Sequence, residues 1–591
     1  MSLWTRWPNV SAKQNAAKAS TVQVAEDPLV SRVWQPKVFM QAFGAYVLLW
    51  FSFPPVAWSP LAWIALVPLI ALVLVPGPLP GRPYWKLYSA GLLYWLATFY
   101  FVPIPHPALW AGWVAVSLYM AVYTPLTIAA CRLLVHRWRV PPVIAVPLVW
   151  AGVEWIRCHF ATGMGMVCLS HSQAKFPSLI QFASIGGAYA VTFVIVMVAT
   201  CLAVAWRRWR NLGNWVNDKP SGQRGMNWPV AVSVALVLFA INLGFGLICF
   251  KQSPVPISKQ ESEVGSLGNS TSEAEQTLKV ALVQTNFDVV FEPPTMEDLE
   301  RRFYEVVELT NRAVREKPDL VVWPESGFSP YHWQLEDVTD RQTALQSEEL
   351  LRLYWGRAVN DQLYGGTPLL SGVSAVNIPQ SKIYNSTVLI DRNGQLLERY
   401  DKIHPVMFGE YVPFGKVFPF LEDLAPMSSI EFGQEFKAYS INGFSIAPSI
   451  CFESTVPHLI RRQVNELSAA GKEPDVMINL TNDGWFFGTA CLDHHFACNI
   501  FRAVEMRKTN LVCANTGFSA HIDPYGRLHS VGPRRDEAVL QATVFKHAGR
   551  SVYRALGDVL AGLFGGVTLV VCVIGWWQRK KTNTNDDSSL V

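Results

Sequence analysis

Three short stretches carry the residue types that thiol acyl chemistry requires. Ser445–Ser454 runs apolar into Cys451, with Phe452 next and a carboxylate, Glu453, two residues on. Val321–Ser326 ends in Trp323-Pro324-Glu325, and Arg399–His404 places Lys402 after a comparable run. A thiol held at the end of a rigid strand and facing a cleft suits a nucleophile. Acyl transfer through it needs a base, donors aimed at the developing oxyanion, and room for the acyl chain. Glu325 offers the base. Lys402 offers a cation that favours the thiolate and stabilises the oxyanion, and the Phe452 backbone N–H is a second donor.

Each residue taken alone has a plainer reading. Cys451 reads equally well as a packed thiol or as a disulfide partner of Cys491, Cys498 or Cys513 in an oxidising compartment. Glu325 after a proline reads as a cap, and Lys402 as a solvated surface lysine. Asp493-His494-His495 with Cys498 lack a second spaced cluster, so they read as helix residues, and no metal ligand is assigned. Asn482-Asp483-Gly484-Trp485-Phe486 reads as a strand-end turn lining the cleft, with Asn482 and Trp485 as candidate substrate contacts. The ten cysteines form no CxxC pair, and six sit in or beside apolar segments as packing residues. No cofactor is expected.

These groups need elements to hold them. Apolar runs at 278–284, 320–323, 369–376, 386–391, 444–450, 476–480, 511–514 and 538–545 read as strands. Helical patterns at Thr295–Glu316 and Leu492–Lys508 alternate with them, which indicates a layered α/β domain over 278–550. Asn393-Gly394 and Tyr525-Gly526 read as hairpin turns.

The remainder has a different composition. Half of the 591 residues are hydrophobic, 16% are charged and 23 are Trp, a membrane-protein profile. A net charge of +4 is too small to argue for nucleic acid. Residues 1–37 form a basic tail without the apolar stretch of a cleaved signal, and 251–277 a polar linker. Between them lie seven apolar spans, near 38–54, 57–76, 87–104, 109–131, 142–160, 178–206 and 228–250, with an eighth at 556–577 before a polar tail, 578–591. Basic residues fill the tail and the breaks after the second, fourth and sixth spans: Arg82 and Lys86; Arg132, Arg137 and Arg139; Arg207, Arg208, Arg210, Lys219 and Arg224. The breaks after the first and third have none, and the break after the fifth has only Lys175. That alternation places both termini inside and the α/β domain outside. Arg157 and His171 read as helix-end residues snorkelling toward the interface, and Glu154 is the main ionisable residue within a span.

Trp-Pro-Glu at 323–325, Tyr-Asp-Lys-Ile-His at 400–404 and Cys-Phe-Glu at 451–453, in that order, resemble the signatures of the nitrilase (carbon–nitrogen hydrolase) superfamily. Gly409-Glu410-Tyr411-Val412-Pro413-Phe414 and the eight spans are similar to one branch, the apolipoprotein N-acyltransferases. The resemblance implies an eight-helix membrane bundle plus an extracytoplasmic nitrilase-like αββα sandwich in a bacterial inner membrane. It implies a monomer that moves an acyl chain from a phospholipid, through a Cys451 thioester, to the α-amine of a diacylglyceryl-cysteine lipoprotein. Glu325 would be the base, Lys402 the stabilising cation, and Glu410 and Glu453 further acids of the centre, with Tyr411 and Phe452 beside them. Three positions depart from the branch: Phe452 stands where Tyr is familiar, Gly163-Met164-Gly165-Met166 replaces Gly-Phe-Pro-Trp, and no Trp follows Asn286, where Phe291 is the nearest substitute. Val406–Phe408 and Val412–Phe420 read as an apolar lid over acyl chains. Two other readings remain open on the residues themselves: a membrane-tethered amidase or nitrilase, and a non-enzymatic lipid-binding or transport protein.

Overall fold

A computed structural model describes residues 37–210, 227–251, 276–289, 295–326, 366–377, 382–393, 396–413, 415, 417–418, 429–546 and 549–587. The basic tail to residue 36, most of the linker, Lys219, Arg224, Phe291 and parts of the 412–420 loop lie outside the described residues.

Among the described residues, twelve strands build the α/β half: β1 Thr277–Gln284, β2 Leu320–Val322, β3 Leu369–Asn377, β4 Lys382–Ile390, β5 Leu396–Asp401, β6 Tyr439–Ile441, β7 Phe444–Ile450, β8 Val476–Asn482, β9 Thr509–Asn515, β10 Ala520–Ile522, β11 Leu528–Val531 and β12 Ala538–Phe545. They form two six-stranded sheets, ordered β12-β1-β2-β3-β4-β5 and β11-β10-β9-β8-β7-β6. Each has a parallel centre, β1-β2-β3 in one and β7-β8-β9 in the other, with antiparallel strands outside. In β1, Leu278, Val280 and Leu282 enter a core shared with Ile446, Ile450, Ile478, Leu480 and Leu511 of the second sheet. Ala281 and Val283, pointing the other way, meet Val306, Leu309 and Ala313 of a covering helix. That period-two division of one strand between two cores makes a face-to-face sandwich with helices outside.

The covering helix spans Met296–Ala313 and starts with a capping box between Thr295 and Asp298. Helices Pro457–Ala469 and Ala490–Met506 cover the second sheet. The expected strands occur, as does the hairpin at Tyr525-Gly526; β4 and β5 pair antiparallel, but Gly394 of the other expected turn lies outside the described residues, and the Pro457–Ala469 helix has no counterpart in the sequence reading.

Eight apolar helical segments occur where spans were expected. They begin with Val38–Ser52 and end with Val559–Asp587. By length and composition, three are long enough to cross a membrane: Leu109–Arg137, Ala183–Trp209 and Trp228–Lys251. The second expected span is not one helix. It divides into Ser59–Leu61, Ala62–Ala65 and Val67–Val73, with Pro60 and Pro68 each at the start of a piece. The fourth runs on past Cys131 to Arg137, and Arg132 turns inward instead of facing water. Its Nη1 donates to Leu72 O (2.6 Å) and Val75 O (2.9 Å), satisfying carbonyls at the end of the preceding segment.

Glu154 faces protein. Its carboxylate accepts from Leu169 N–H and Thr192 Oγ1, each at 2.8 Å. Arg157 and His171 are also buried, which corrects the snorkelling expectation. Arg157 donates to Val167 O and Cys168 Sγ and lies over the Trp95 ring. Cations inside a bundle require such partners.

The two halves share packing. Ile500, Phe501, Ala503 and Val504 of the Ala490–Met506 helix join one cluster with Ile180, Ala183 and other bundle residues. The bundle helix Ala183–Trp209 breaks at Gly186-Gly187, where Gly187 has φ +69° and a Cβ would lie 2.7 Å from the Tyr553 ring. The helix restarts there, and Glu505 Oε1 accepts from the free Ala188 N–H at 2.9 Å while pairing with Arg502. Gln181 adds a second tie, donating to Tyr525 O (2.8 Å) and accepting from Arg507 (2.7 Å).

Candidate active site

Three strand ends converge. Glu325 lies three residues past β2, Lys402 directly follows β5, and Cys451 directly follows β7. Cys451 opens a short 3-10 turn, Cys451–Thr455, with φ +50°, a left-handed conformation unusual for a side-chain-bearing residue. Such backbone persists only where the surroundings hold it, and it sharply turns the chain at the sulfur.

Glu453 does the holding. Its Oε2 accepts from Ile450 N–H at 2.8 Å; Oε1 accepts from Ile403 N–H at 2.7 Å and His404 N–H at 3.1 Å. The Tyr400 hydroxyl donates to the same carboxylate at 2.9 Å. The carboxylate therefore ties the start of the nucleophile turn to the segment carrying Lys402. Burial pushes its pKa up, opposed by those donors and by the Lys402 charge. Glu453 thus acts as a positioning residue, and its oxygens are committed to backbone.

Lys402 is 1% exposed, contrary to the surface reading available for a lone lysine. Its Nζ donates to Glu410 Oε1 at 2.8 Å and Glu325 Oε1 at 3.4 Å. Burial alone would lower the ammonium pKa, but the charges of Glu410 and Glu325 outweigh it and hold it well above the ordinary value. Glu410 is pulled down despite burial, because Lys402 and the Val406 N–H (2.7 Å) stabilise the carboxylate. Asn385, on β4, donates to Glu325 Oε1 at 2.7 Å and Glu410 Oε1 at 3.0 Å. It fixes the two acids against each other. Asn385 had no signal in the sequence, since it lies mid-strand in no motif.

The Cys451 thiol feels burial first, then the Glu325 charge, and both push its pKa well up; Lys402 opposes them without prevailing. Lys402 thus favours the thiolate as expected, but burial and the Glu325 charge outweigh it. Cys451 is free of any disulfide, as are Cys491, Cys498 and Cys513.

The other candidates divide. Asn482 reaches Glu325 through its backbone: its N–H donates to Glu325 Oε2 at 2.8 Å, while its side chain accepts from Gly484 N–H and Asn515 Nδ2. Trp485 sits half-buried in the 3-10 turn Asp483–Phe486. Phe452 is half-buried and stacks on His404 at 6.0 Å. Tyr411 pairs edge-on with Phe432, and its carbonyl accepts from Phe408 N–H.

His495 was missed. Its Nδ1 lies 2.9 Å from Asp483 Oδ1, and its Nε2 lies 3.0 Å from Cys451 O and 2.9 Å from Ser454 Oγ. It braces the nucleophile turn from the Ala490–Met506 helix. The neighbouring residues of that run diverge, Asp493 to Arg534 and His494 to the rings of Phe53 and Phe101. The Gly163–Met166 loop supports the same turn, since a Cβ on Gly165 would lie 1.9 Å from Thr455 O.

Comparison with known proteins agrees with both halves. The family model for the apolipoprotein N-acyltransferase N-terminal domain matches residues 45–201. The carbon-nitrogen hydrolase model matches residues 279–553. An apolipoprotein N-acyltransferase of Rhodopirellula baltica is 30% identical over 572 residues, covering 90% of this chain and 95% of that protein. Another, from Geobacter metallireducens, is 31% identical over 555 residues, covering 92% of this chain and 96% of that protein. The crystal structure of Saccharomyces cerevisiae Nit3, of the nitrilase superfamily, covers 47% of this chain and 93% of its own at 19% identity; its TM-score of 0.34 is too low to bear on the site. With relatives of this identity matched almost end to end, the chain belongs to the apolipoprotein N-acyltransferase family, and its sandwich is a carbon–nitrogen hydrolase domain.

Proposed function

We propose that this protein N-acylates lipoproteins in two half-reactions at Cys451, with Glu325 as base and Lys402 as oxyanion donor. The supporting observation is the convergence of Glu325 and Lys402 on one thiol, at the ends of three strands, with both Glu325 oxygens held in place by Lys402, Asn385 and the Asn482 N–H. The raised pKa of Lys402 keeps it an ammonium, so it donates to an oxyanion and does not serve as the base. Glu325 takes the Cys451 proton as sulfur attacks the ester carbonyl of a phospholipid. The C–O bond breaks, Glu325 returns the proton to the departing alkoxide, and a lysophospholipid leaves a thioester. The α-amine of a diacylglyceryl-cysteine then attacks, Glu325 accepts its proton, the C–S bond breaks, and the proton returns to sulfur.

Both substrates are lipid-anchored, and eight bilayer crossings with the sandwich on the extracytoplasmic side suit them. Two observations support this arrangement. The sandwich contacts the breaks poor in basic residues, through Phe53, Tyr100, Phe101 and Gly165. The arginine-rich breaks belong to the opposite side. Phe408, Val417 and Phe418 are at least half exposed, as residues that cover acyl chains would be in their absence. Chains kept in lipid avoid about 0.8 kcal/mol per CH₂ of exposure to water.

Incubation of the purified protein with phospholipid vesicles tests the scheme by intact mass. One fatty acyl adduct is expected on wild type and none on Cys451→Ala, and a diacylated lipopeptide should discharge the adduct to an amide. An adduct retained in Cys451→Ala, or discharge to free fatty acid alone, would overturn it.

A further inference from the structure

We infer that His159, His458 and Asp558 form a binding site for a divalent transition-metal cation of the Zn²⁺ type, where the sandwich meets the bundle. The three come from separate elements. His159 ends the Pro142–His159 helix, His458 is the second residue of the Pro457–Ala469 helix, and Asp558 directly precedes the final helix. Their ligand-capable atoms all lie within 4.8 Å of one another.

The surrounding hydrogen bonds leave the inward atoms available. His159 Nδ1 is 2.9 Å from the Trp155 carbonyl, which can only accept, so that nitrogen carries the proton. The Nε2 lone pair then faces Asp558 Oδ2 at 3.4 Å. Two acceptors at that spacing repel unless a proton or a cation lies between them. Asp558 Oδ1 is occupied by the Tyr553 hydroxyl at 2.6 Å, which orients the carboxylate and leaves Oδ2 directed at the imidazole. His458 Nδ1 is buried and has no hydrogen-bond partner among the described residues. The two imidazole rings lie 4.3 Å apart, which brings a nitrogen donor from each of two separate helices to the same place. A carbonyl bonded to the outer nitrogen of one histidine and a phenol bonded to the outer carboxylate oxygen are the kind of support that fixes metal ligands. Two imidazoles and one carboxylate oxygen, with water completing a tetrahedron, suit Zn²⁺. Zn–ligand bonds of about 2.0–2.1 Å require donors about 3.3 Å apart, so binding closes the widest pair by about 1.5 Å.

The site lies outside the reacting centre and would act as a clasp. The Pro457–Ala469 helix leaves the nucleophile turn at Thr455, so a cation on His458 ties that turn to two bundle helices. Arg461 already joins the same helix to Tyr553 O and Arg554 O, so loss of His458 leaves the local fold its own tie.

The full chain in detergent, stripped with a chelator, is titrated with Zn²⁺ alone and with Co²⁺ alone. One equivalent should bind, with a rise in the thermal midpoint on Zn²⁺ addition and tetrahedral visible bands with Co²⁺. His458→Ala should weaken binding at least tenfold while retaining the metal-free midpoint of wild type, and Asp558→Asn should weaken binding at least tenfold as well. X-ray absorption of the Zn²⁺-loaded wild type, which depends on no variant, should show two imidazoles and one carboxylate. Absence of stoichiometric binding to wild type, a first shell without two imidazoles, or undiminished binding by His458→Ala would each overturn the proposal in favour of a simple His159–Asp558 ion pair.

Discussion

Gly165 gives the sharpest test of how the bundle positions the chemistry. A Cβ added there would sit 1.9 Å from Thr455 O, in the turn that starts at Cys451, with the next contact the Thr455 carbonyl carbon at 3.1 Å. Carbon–oxygen contacts below 3.0 Å are essentially never tolerated, so loop and turn must separate by at least 1.1 Å. Within the turn, Ser454 Oγ donates to Cys451 O and Thr455 Oγ1 to Phe452 O, so it moves as one piece. The movement therefore passes to Cys451. Misplacement of a reacting group by about 1 Å costs about 10²-fold, or about 2.7 kcal/mol of barrier. We expect Gly165→Ala to lower both the burst of thioester formation from phospholipid and acyl transfer to a diacylated lipopeptide by about that factor. Gly44→Ala, where nothing lies within 4 Å, is the control and should leave both rates unchanged. Wild-type kinetics in Gly165→Ala would refute the idea that the bundle loop sets the position of the sulfur.

Other expectations follow from the same geometry. Lys402→Met removes the cation between Glu325 and Glu410 and should lower thioester formation at least 10²-fold by single-turnover mass spectrometry, as loss of an oxyanion donor does. Glu473 supplies a pH signature. Arg554 at 2.7 Å and Lys508 at 3.0 Å hold its carboxylate down to about 2 from the ordinary 4.5. Its stabilisation is thus present above the unfolded carboxylate value and vanishes as pH falls to about 2. Glu473→Gln should cost about 1 kcal/mol at pH 7 after solvent screening. The difference in thermal midpoint from wild type should shrink steadily below pH 4.5.

Much of the site was legible because its chemistry sits at the ends of apolar runs. Glu325 and Cys451 follow β2 and β7, short strands buried almost throughout, and such apolar runs show in composition. What stayed hidden depends on contacts across the chain. Asn385 and His495 reach the centre from the middle of a strand and of a helix, where an Asn or a His looks like any polar residue. The direction of the Cys451 shift was missed because burial, which one sequence cannot report, outweighs the nearby lysine. Arg157 and Arg132 looked like interface charges because each lies near a helix end; carbonyl acceptors from distant segments bring them inside. The broken second span failed for a local reason, since two prolines in an apolar run count as hydrophobic length but interrupt the helix.

The Ala490–Met506 helix is buried along nearly its whole circumference, with Asn499 bonded toward the sheet at Asn510 and Asn479 while Phe501 and Val504 lie among bundle residues. Neither half therefore owns that helix. During synthesis, the first seven apolar segments precede it by more than two hundred residues, so their docking face stays uncovered until the chain has been made past Met506. Cutting the chain within its polar linker and expressing the later part alone would release a sticky fragment, because the surface freed is an interior one.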